Sequence, residues 1–320
     1  MSRGLFISWA PFSRRTETLA AEFDLEARFV RTPWPKRPWA VPLKYPWQAG
    51  VTVAALATAG RGEVWVMDPP LPAVALAAAA ACRRRVPLVV DMHTVAFYAR
   101  EWRLLRPLEL PLLRRAAAVV VTNESLAARV RSWGAPAFVL PDPLPEVPDG
   151  LEREVVEPDL VTVVATFSLD EPLDVLPAVA RALPDVRFAV TGRPRGDLGA
   201  WPPNLTPTGF LSDVAYWRQL ARSAVVAVLT TRPETLLSGG YETLVLGRPL
   251  VTSDHAALRG YFGDAAVYAH AEAASLAGAV RTALDGADDY ARRLRVLAER
   301  RRAEWEAAAG ELRARLGRTP

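Results

Sequence analysis

Two carboxylates and a run of small residues stand close together after a predicted strand at 225–229. Glu234 and Glu242 are separated by seven residues, and residues 238–240 read Ser-Gly-Gly. We expect Glu234 in the loop after the strand and Glu242 in the first turns of a helix that has a flexible, glycine-containing entrance. Exposed amides at a helix N-terminus bind phosphate, and carboxylates accept hydrogen bonds from sugar hydroxyls. This combination suits a nucleotide-sugar ligand.

A histidine follows another predicted strand, at 88–91, in the sequence Asp91-Met92-His93-Thr94. We therefore expect His93 at the carboxyl edge of a sheet, where a neutral imidazole suits hydrogen bonding to a sugar hydroxyl. Asp91 and His93 are both metal-ligand types, but the sequence offers no third ligand beside them. We predict no metal site. His255 and His270 are interpreted as structural.

Short apolar or β-branched runs alternate with helical patterns along the whole chain, which is typical of parallel sheets built from βαβ units. The predicted strands are 5–8, 28–31, 64–67, 88–91, 119–122 and 137–140 in the first half, and 160–165, 187–191, 225–229, 249–252 and 266–268 in the second. We predict an α/β protein with two Rossmann-like sheets facing across a cleft. Residues just after the strands are then the ones placed to bind ligands.

Prolines divide the chain into domains. Residues 140–150 hold four prolines, which block helix and central strand alike, so we predict a linker there. After Leu284 a helical pattern continues to about Leu316. The predicted domains are therefore 1–145, 146–287 and a helical extension at 288–320.

The composition is that of a folded globular protein, with 51% hydrophobic and 23% charged residues among 320. A single cysteine, Cys82, excludes an internal disulfide and favours a reducing compartment. We find neither a signal-peptide pattern nor an apolar run long enough to span a bilayer. These features predict a cytoplasmic protein.

Charge is distributed unevenly. Residues 1–150 carry 19 basic and 13 acidic side chains, residues 151–290 carry 11 and 18, and residues 291–320 carry 9 and 4. The basic regions suit either a solvated surface or contact with anionic lipid or phosphate. Residues 31–47 add three tryptophans (Trp34, Trp39, Trp47) and further basic groups (Lys36, Arg37, Lys44), which suit sugar stacking, peripheral membrane contact or packing on their own domain. We predict no nucleic-acid binding, because no stacking motif accompanies the scattered arginines.

The second half resembles the GT-B-fold glycosyltransferases, in particular the retaining, family 4-like (group 1) enzymes with a Glu-x7-Glu motif. The resemblance rests on Glu234 and Glu242, on Val190-Thr191-Gly192, on residues 208–213 and on Gly247-Arg248-Pro249. It implies that Glu234 contacts the transferred sugar and that Glu242 binds the donor ribose. It further implies a set of donor contacts: phosphate at Ser238, Gly239 and Gly240, and the base beside Gly192, Arg193, Phe210 and Leu211. A histidine at the position of His93 approaches the donor sugar in many members of this family.

The chain departs from that pattern at two turns. The first strand-to-helix turn, residues 8–16, lacks the glycines that many relatives have there. The turn after the strand 160–165 reads Thr-Phe-Ser-Leu-Asp-Glu, where the family has an arginine and a lysine on the diphosphate. A leaving diphosphate needs stabilising charge. Arg14, Arg15, Arg193 and Arg232 are the candidate substitutes.

The sequence therefore predicts a glycosyltransferase that moves a sugar from a nucleotide diphosphate donor to a saccharide or lipid-linked acceptor, with retention, without a metal and without a cofactor. Two alternatives stay open at this point. One is a catalytically inactive GT-B-fold binding protein of a polysaccharide assembly pathway, which the missing basic pair suggests. The other is a nucleotide-sugar epimerase.

Overall fold

The computed structural model describes residues 3–34, 41–194 and 201–317. The chain forms two compact units. The first comprises Met1–Pro143 together with Glu304–Pro320, and the second comprises Leu144–Ala303. Each unit is built on one six-stranded sheet whose named strands pair in parallel, as predicted from the alternation of strands and helices.

The first unit has the strand order β2-β1-β3-β4-β5-β6. Its strands are β1 (Gly4–Ser8), β2 (Leu25–Phe29), β3 (Val64–Asp68), β4 (Leu88–Met92), β5 (Ala118–Val121) and β6 (Ala137–Val139). Its helices are α1 (Arg14–Glu22), α2 (Val41–Thr58), α3 (Leu71–Arg84), α4 (Thr94–Tyr98), α5 (Arg100–Leu113) and α6 (Glu124–Ser132).

The four central strands of this sheet read as nearly continuous apolar runs because both of their faces are covered. One face packs against α2, α3, α5 and α6. The other packs against α1 and against the segment that follows Glu304 in the sequence. Trp65, fully buried in β3, contacts Phe6 and Phe23 on that second face.

The second unit has the strand order β12-β11-β10-β7-β8-β9. Its strands are β7 (Glu157–Val164), β8 (Arg187–Thr191), β9 (Leu205–Gly209), β10 (Ser223–Val228), β11 (Leu250–Ser253) and β12 (Ala266–Ala269). Its helices are α7 (Leu176–Ala182), α8 (Asp213–Arg222), α9 (Ser238–Leu246), α10 (Ala256–Phe262) and α11 (Ala273–Asp285). Helix α12 (Ala287–Arg315) then runs from this unit into the first.

One predicted strand needs correction, and one strand was not predicted. β2 spans Leu25–Phe29 instead of 28–31, because Val30 already leaves the strand while its amide still donates to Ser8 O. β9 was not predicted, since it contains Pro207 and two threonines in place of an apolar run. Proline is tolerated there because β9 lies at the edge of the sheet.

Residues 140–148, within the predicted linker, form neither helix nor strand. The predicted closing helix is present as α12, but it is not a separate body. Its residues up to Ala303 belong to the second unit, and those from Glu304 belong to the first. Among the described residues, no helix combines the length and apolarity that a membrane crossing requires.

Candidate functional site

The carboxyl edge of the second sheet carries most of the predicted donor-binding residues. Strands β7, β8, β10 and β11 pair in parallel and therefore end at one edge. The loop after β10 carries Glu234, the turn after β8 carries Gly192 and Arg193, and α9 begins a few residues beyond Glu234. Open parallel sheets bind their ligands at this edge.

The start of α9 is tightly packed, which corrects the expected flexible entrance. A side-chain carbon on Gly239 would lie 2.9 Å from Cγ1 of Val164 in β7, and one on Gly240 would lie 2.9 Å from the Phe262 ring. The glycines therefore allow α9 to approach the strands closely. Ser238 is exposed at the first helical position, and Leu237 at the N-cap offers no side-chain oxygen to the first amides. An anion would suit this end of the helix.

Glu242 is buried on α9, with 4% of its surface exposed. Tyr216 on α8 donates its hydroxyl hydrogen bond to Glu242 Oε2 across 2.5 Å. Hydrogen bonds to a carboxylate are short and strong, so this contact fixes the orientation of Glu242. Sequence reasoning missed Tyr216, which lies 26 residues away in the chain and belongs to no motif.

Glu234 lies half-buried in the loop at 229–237. That loop is fastened to the one after β7 through Asp170, because Thr231 N donates to Asp170 O across 2.7 Å. Arg232, a candidate phosphate ligand, is 46% exposed and lies 3.3 Å from Asp170 Oδ1. The loop that carries Glu234 is thus held in place, while Arg232 keeps much of its side chain in solvent.

The turn after β7 binds a carboxylate of its own. Thr166 N, Thr166 Oγ1 and Ser168 N all donate to Glu171 at 2.9–3.0 Å. Phe167 between these donors adopts a left-handed backbone with φ of 57°. The amides at this strand end therefore already hold an anion, and the loop carries no arginine or lysine. Positive charge for a diphosphate must come from other residues.

Strands β8 and β9 end side by side through two glycines. Gly192 (φ 84°) and Gly209 (φ 74°) form an antiparallel bridge, and a side-chain carbon on Gly192 would lie 2.4 Å from Ala165 O. Only glycine fits that approach. Arg193 follows in an exposed position, and Leu211, two residues after β9, is partly exposed. The structure thus places Gly192, Arg193 and Leu211 at neighbouring strand ends.

In the first unit, His93 lies directly after β4 as predicted. Its side chain is 27% exposed, and its Nε2 lies 3.0 Å from Oδ2 of the fully buried Asp91. Burial alone would raise the pKa of Asp91, but the Arg15 guanidinium and His93 hold it below its usual value. An ionised Asp91 therefore orients the imidazole.

Arg15 has a structural role, which corrects its interpretation as a phosphate ligand. Its side chain is 7% exposed, and its Nε and Nη1 pair with Asp91 at 2.8 Å and Asp142 at 2.5 Å. Its Nη2 donates to Leu140 O across 2.9 Å. All three nitrogens are thus engaged by the first unit itself. Arg14 is exposed on the first turn of α1 and stays a candidate.

A buried carboxyl pair, Asp68 and Glu109, supports the turn that carries His93. Burial and the neighbouring Glu109 raise the pKa of Asp68 well above its usual range. Burial likewise raises the pKa of Glu109, against the opposing effect of Arg106, with which it forms an ion pair. His93 N donates to Asp68 O, and Arg106 Nη2 donates to the carbonyl of Ala96 in α4. The sequence showed only an acid after a buried strand and an Arg-x-x-Glu spacing on a helix.

The tryptophan-rich segment is described in part. Trp34 and Trp47 pack edge to face with ring centroids 5.7 Å apart, and Lys44 lies over the Tyr45 ring. Trp39, Lys36 and Arg37 lie outside the described residues. Elsewhere, His255 Nε2 lies 3.0 Å from Thr230 O, in keeping with its structural interpretation.

The comparisons with known proteins agree with this architecture. Residues 10–141 match the family model of the glycosyl transferase 4-like domain. Anabaena HepE, solved with UDP and glucose, is 14% identical, superposes with a TM-score of 0.72, and the match covers 99% of this chain and 100% of that one. No curated protein matches the sequence significantly.

Two further solved structures share the fold. Sucrose-phosphate synthase from Thermosynechococcus elongatus is 15% identical with a TM-score of 0.67, and the match covers 97% of both chains. The calicheamicin glycosyltransferase CalG4 is 14% identical with a TM-score of 0.55, over 100% of this chain and 99% of that one. The predicted fold is confirmed: the chain has the GT-B fold of these glycosyltransferases, and residues 10–141 of its first unit match a glycosyl transferase 4-like domain.

Proposed function

We propose that this protein is a glycosyltransferase that moves a sugar from a nucleotide diphosphate sugar to a saccharide or lipid-linked acceptor, with retention of anomeric configuration and without a metal ion. The observation that carries the proposal is the Glu242 carboxylate, buried at the carboxyl edge of the second sheet and oriented by Tyr216. HepE, which shares the fold, is solved with UDP and glucose and with UDP-glucose. That likeness supports a donor of the same class here.

We assign the donor contacts by chemistry. Glu242 accepts hydrogen bonds from the ribose hydroxyls, and Tyr216 keeps its carboxylate in position for them. The first amides of α9 receive phosphate oxygens, because this helix end is partially positive. Gly192, Arg193 and Leu211, at the ends of β8 and β9, flank the base.

The leaving diphosphate needs positive charge that the loop after β7 does not supply. Arg232 is the best placed substitute in the second unit, since it is half-exposed on the loop that also carries Glu234. Its present partner, Asp170, holds it at 3.3 Å, so phosphate binding exchanges one anionic partner for another. Arg193 offers a second charge at the same sheet edge.

Glu234 and His93 are the proposed catalytic residues. Glu234 contacts the transferred sugar near the reacting carbon. His93 contributes a ring whose Nε2 hydrogen-bonds to Asp91, which favours the tautomer that leaves Nδ1 as an acceptor for a sugar hydroxyl. Catalysis then depends chiefly on positioning and on charge stabilisation.

The first experiment measures thermal stability against a panel of nucleotides and nucleotide-sugars. A ligand at a hundred times its dissociation constant stabilises the folded state by about 2.7 kcal/mol, or roughly 5–11 °C for a unit of this size. A shift with one base family identifies the donor, and Glu242→Gln should abolish the shift. Glu272→Gln, an exposed glutamate in the same unit, is the matched control and should keep it. No shift with any nucleotide would contradict the proposal.

The second experiment tests transfer with the donor so identified. Glu234→Gln should abolish sugar transfer while donor binding and thermal stability persist. Product anomers analysed by NMR report retention or inversion, and turnover in the presence of EDTA tests metal independence. Donor binding without any turnover would instead support the non-catalytic alternative, and donor conversion without an acceptor would support an epimerase.

We further propose a cytoplasmic location with peripheral membrane contact. The single cysteine and the excess of basic side chains in the first 150 residues support this expectation.

A further inference from the structure

The outer side of the helical layer formed by α2, α3, α5 and α6 is strongly basic. These helices pack on one face of the first sheet, so their exposed sides point the same way. The layer, taken as residues 41–62, 71–87, 94–117 and 124–136, holds twelve lysines and arginines against three glutamates. Glu109 pairs with the buried Arg106 and Glu124 pairs with Arg131, which leaves ten basic side chains against Glu101. The face that remains carries a high positive charge.

Helix α5 adds an apolar strip to this basic face. Leu104 and Leu108 lie one turn apart and are 69% and 68% exposed. Pro107 and Pro111 are exposed on the same side of the helix. Single exposed leucines are ordinary, but two adjacent ones flanked by prolines form a continuous apolar strip.

Arginines surround the strip. Arg100 and Arg103 lie at the beginning of α5, and Arg114 and Arg115 directly follow its last residue. All four are exposed, and the acid on this side of the helix is Glu101. An apolar strip bounded by cations is the pattern of a helix that lies in the plane of a membrane interface.

A groove between α2 and α3 extends the same surface. Its volume is about 770 Å³, and apolar side chains such as Leu56, Leu76 and Ala80 line it. Arg83 and Arg84 in the last turn of α3, with Arg61 and Arg85, gather at the groove. Apolar walls with several guanidinium groups at one end fit a molecule that has an apolar chain and an anionic head.

We propose that this face of the first unit docks on an anionic lipid bilayer, with Leu104 and Leu108 in the interface and the arginines on lipid phosphates. A bilayer supplies both an apolar layer and anionic headgroups, so it satisfies both parts of the surface. Nucleic acid would engage the arginines and leave the two leucines in water. The proposal rests on the peripheral membrane contact proposed above and names the surface that makes it, and it is independent of the identity of the sugar donor.

Vesicle flotation with the full chain tests the docking. Phosphatidylcholine vesicles containing phosphatidylglycerol should carry the protein upward, and phosphatidylcholine alone should not. Leu104→Ser with Leu108→Ser should lower the partition coefficient about a hundredfold, since burying each exposed leucine in the interface is worth roughly tenfold. Val155→Ser with Val296→Ser, two exposed valines of the second unit, is the matched control and should leave binding unchanged.

A second variant tests the contribution of the arginines to vesicle binding. Arg100→Gln, Arg103→Gln and Arg115→Gln together should weaken binding to anionic vesicles and reduce its sensitivity to salt. The control replaces Arg181, Arg292 and Arg302, which are exposed outside this face, by glutamine.

Three outcomes overturn the proposal. The first is that the wild type binds neutral vesicles as well as anionic ones. The second is that the leucine variant, at wild-type thermal stability, binds anionic vesicles as well as the wild type does. The third is that duplex DNA competes with the vesicles equally well for the wild type and for the leucine variant. Nucleotide-induced thermal shifts are measured on the same variants and should be preserved. A failure of donor binding is thereby distinguished from a failure of docking.

Discussion

Replacing Arg15 by methionine should destabilise the first unit strongly. The guanidinium joins Asp91, Asp142 and the Leu140 carbonyl while only 7% of the side chain is exposed. Methionine keeps much of the aliphatic stem but leaves a fully buried carboxylate without its cation. Breaking a buried ion pair by removing one partner costs about 3–5 kcal/mol, which for a unit of this size lowers the midpoint by roughly 6–20 °C.

The pH dependence of this loss follows from Asp91. Burial opposes its ionisation, but Arg15 and His93 hold its pKa below the usual value of 3.8. A carboxyl group whose pKa is lower in the folded state contributes stability above its unfolded-state pKa. This contribution is lost as the pH falls through the pKa of the folded state. The difference between wild type and Arg15→Met should therefore be greatest near neutral pH and narrow in acid.

Urea unfolding followed by circular dichroism at several pH values measures both effects. Arg14→Met is the matched control, because Arg14 is the exposed neighbour on the same helix turn. It should change the free energy of unfolding by no more than about 0.5 kcal/mol. A loss below about 1 kcal/mol for Arg15→Met would refute the structural role assigned to Arg15.

Three further predictions concern the second unit and the buried carboxyl pair. Gly239→Ala should lower the free energy of unfolding by about 1–3 kcal/mol through overpacking. Gly278→Ala, at a helical site with no heavy atom within 4 Å, should be neutral or stabilising by up to about 1 kcal/mol; equal effects in thermal unfolding would contradict the packing argument. Tyr216→Phe should weaken nucleotide binding about tenfold in calorimetric titration, because Glu242 loses a hydrogen bond of the charge-assisted kind. Unchanged affinity would show that the hydroxyl does not position the carboxylate. The raised pKa of Asp68 gives stability that is present in acid and is lost as the pH rises through that pKa, so Asp68→Asn should flatten the decline of Tm as the pH rises above the usual aspartate range, and an unchanged slope would count against it.

The sheets could be predicted because their strands are buried on both faces and therefore appear as short apolar runs. β8, Arg187–Thr191, was predicted with its exact bounds. β9 was missed because it lies at the edge of the sheet. An edge strand needs no alternation of apolar residues, and not all of its backbone amides must donate hydrogen bonds to a neighbouring strand, so Pro207 is compatible with it. The positions of His93 and Glu234 after the ends of their strands were also predictable from the sequence.

The partners of the site residues could not be predicted, because they come from distant parts of the chain. Tyr216 reaches Glu242 through the packing of α8 beside α9, and Arg15 reaches Asp142 across 127 residues. An arginine in the first strand-to-helix turn has the same sequence signature whether it serves a phosphate or a buried aspartate. Only its burial distinguishes the two roles.

Helix α12 affects how the protein can be made. Trp305 and Leu312, on its C-terminal part, are buried with Phe23 and Trp65 of the first unit, and the Trp305 indole donates to Pro141 O. The first unit therefore leaves a large apolar face open until residues that follow the entire second unit have been synthesised. During translation about 160 residues are synthesised between the first sheet and the segment that covers this face. Folding of the first unit is therefore completed only late in synthesis. A chain shortened after Ala303 would lack Trp305 and Leu312 and should therefore expose part of the apolar face around Trp65.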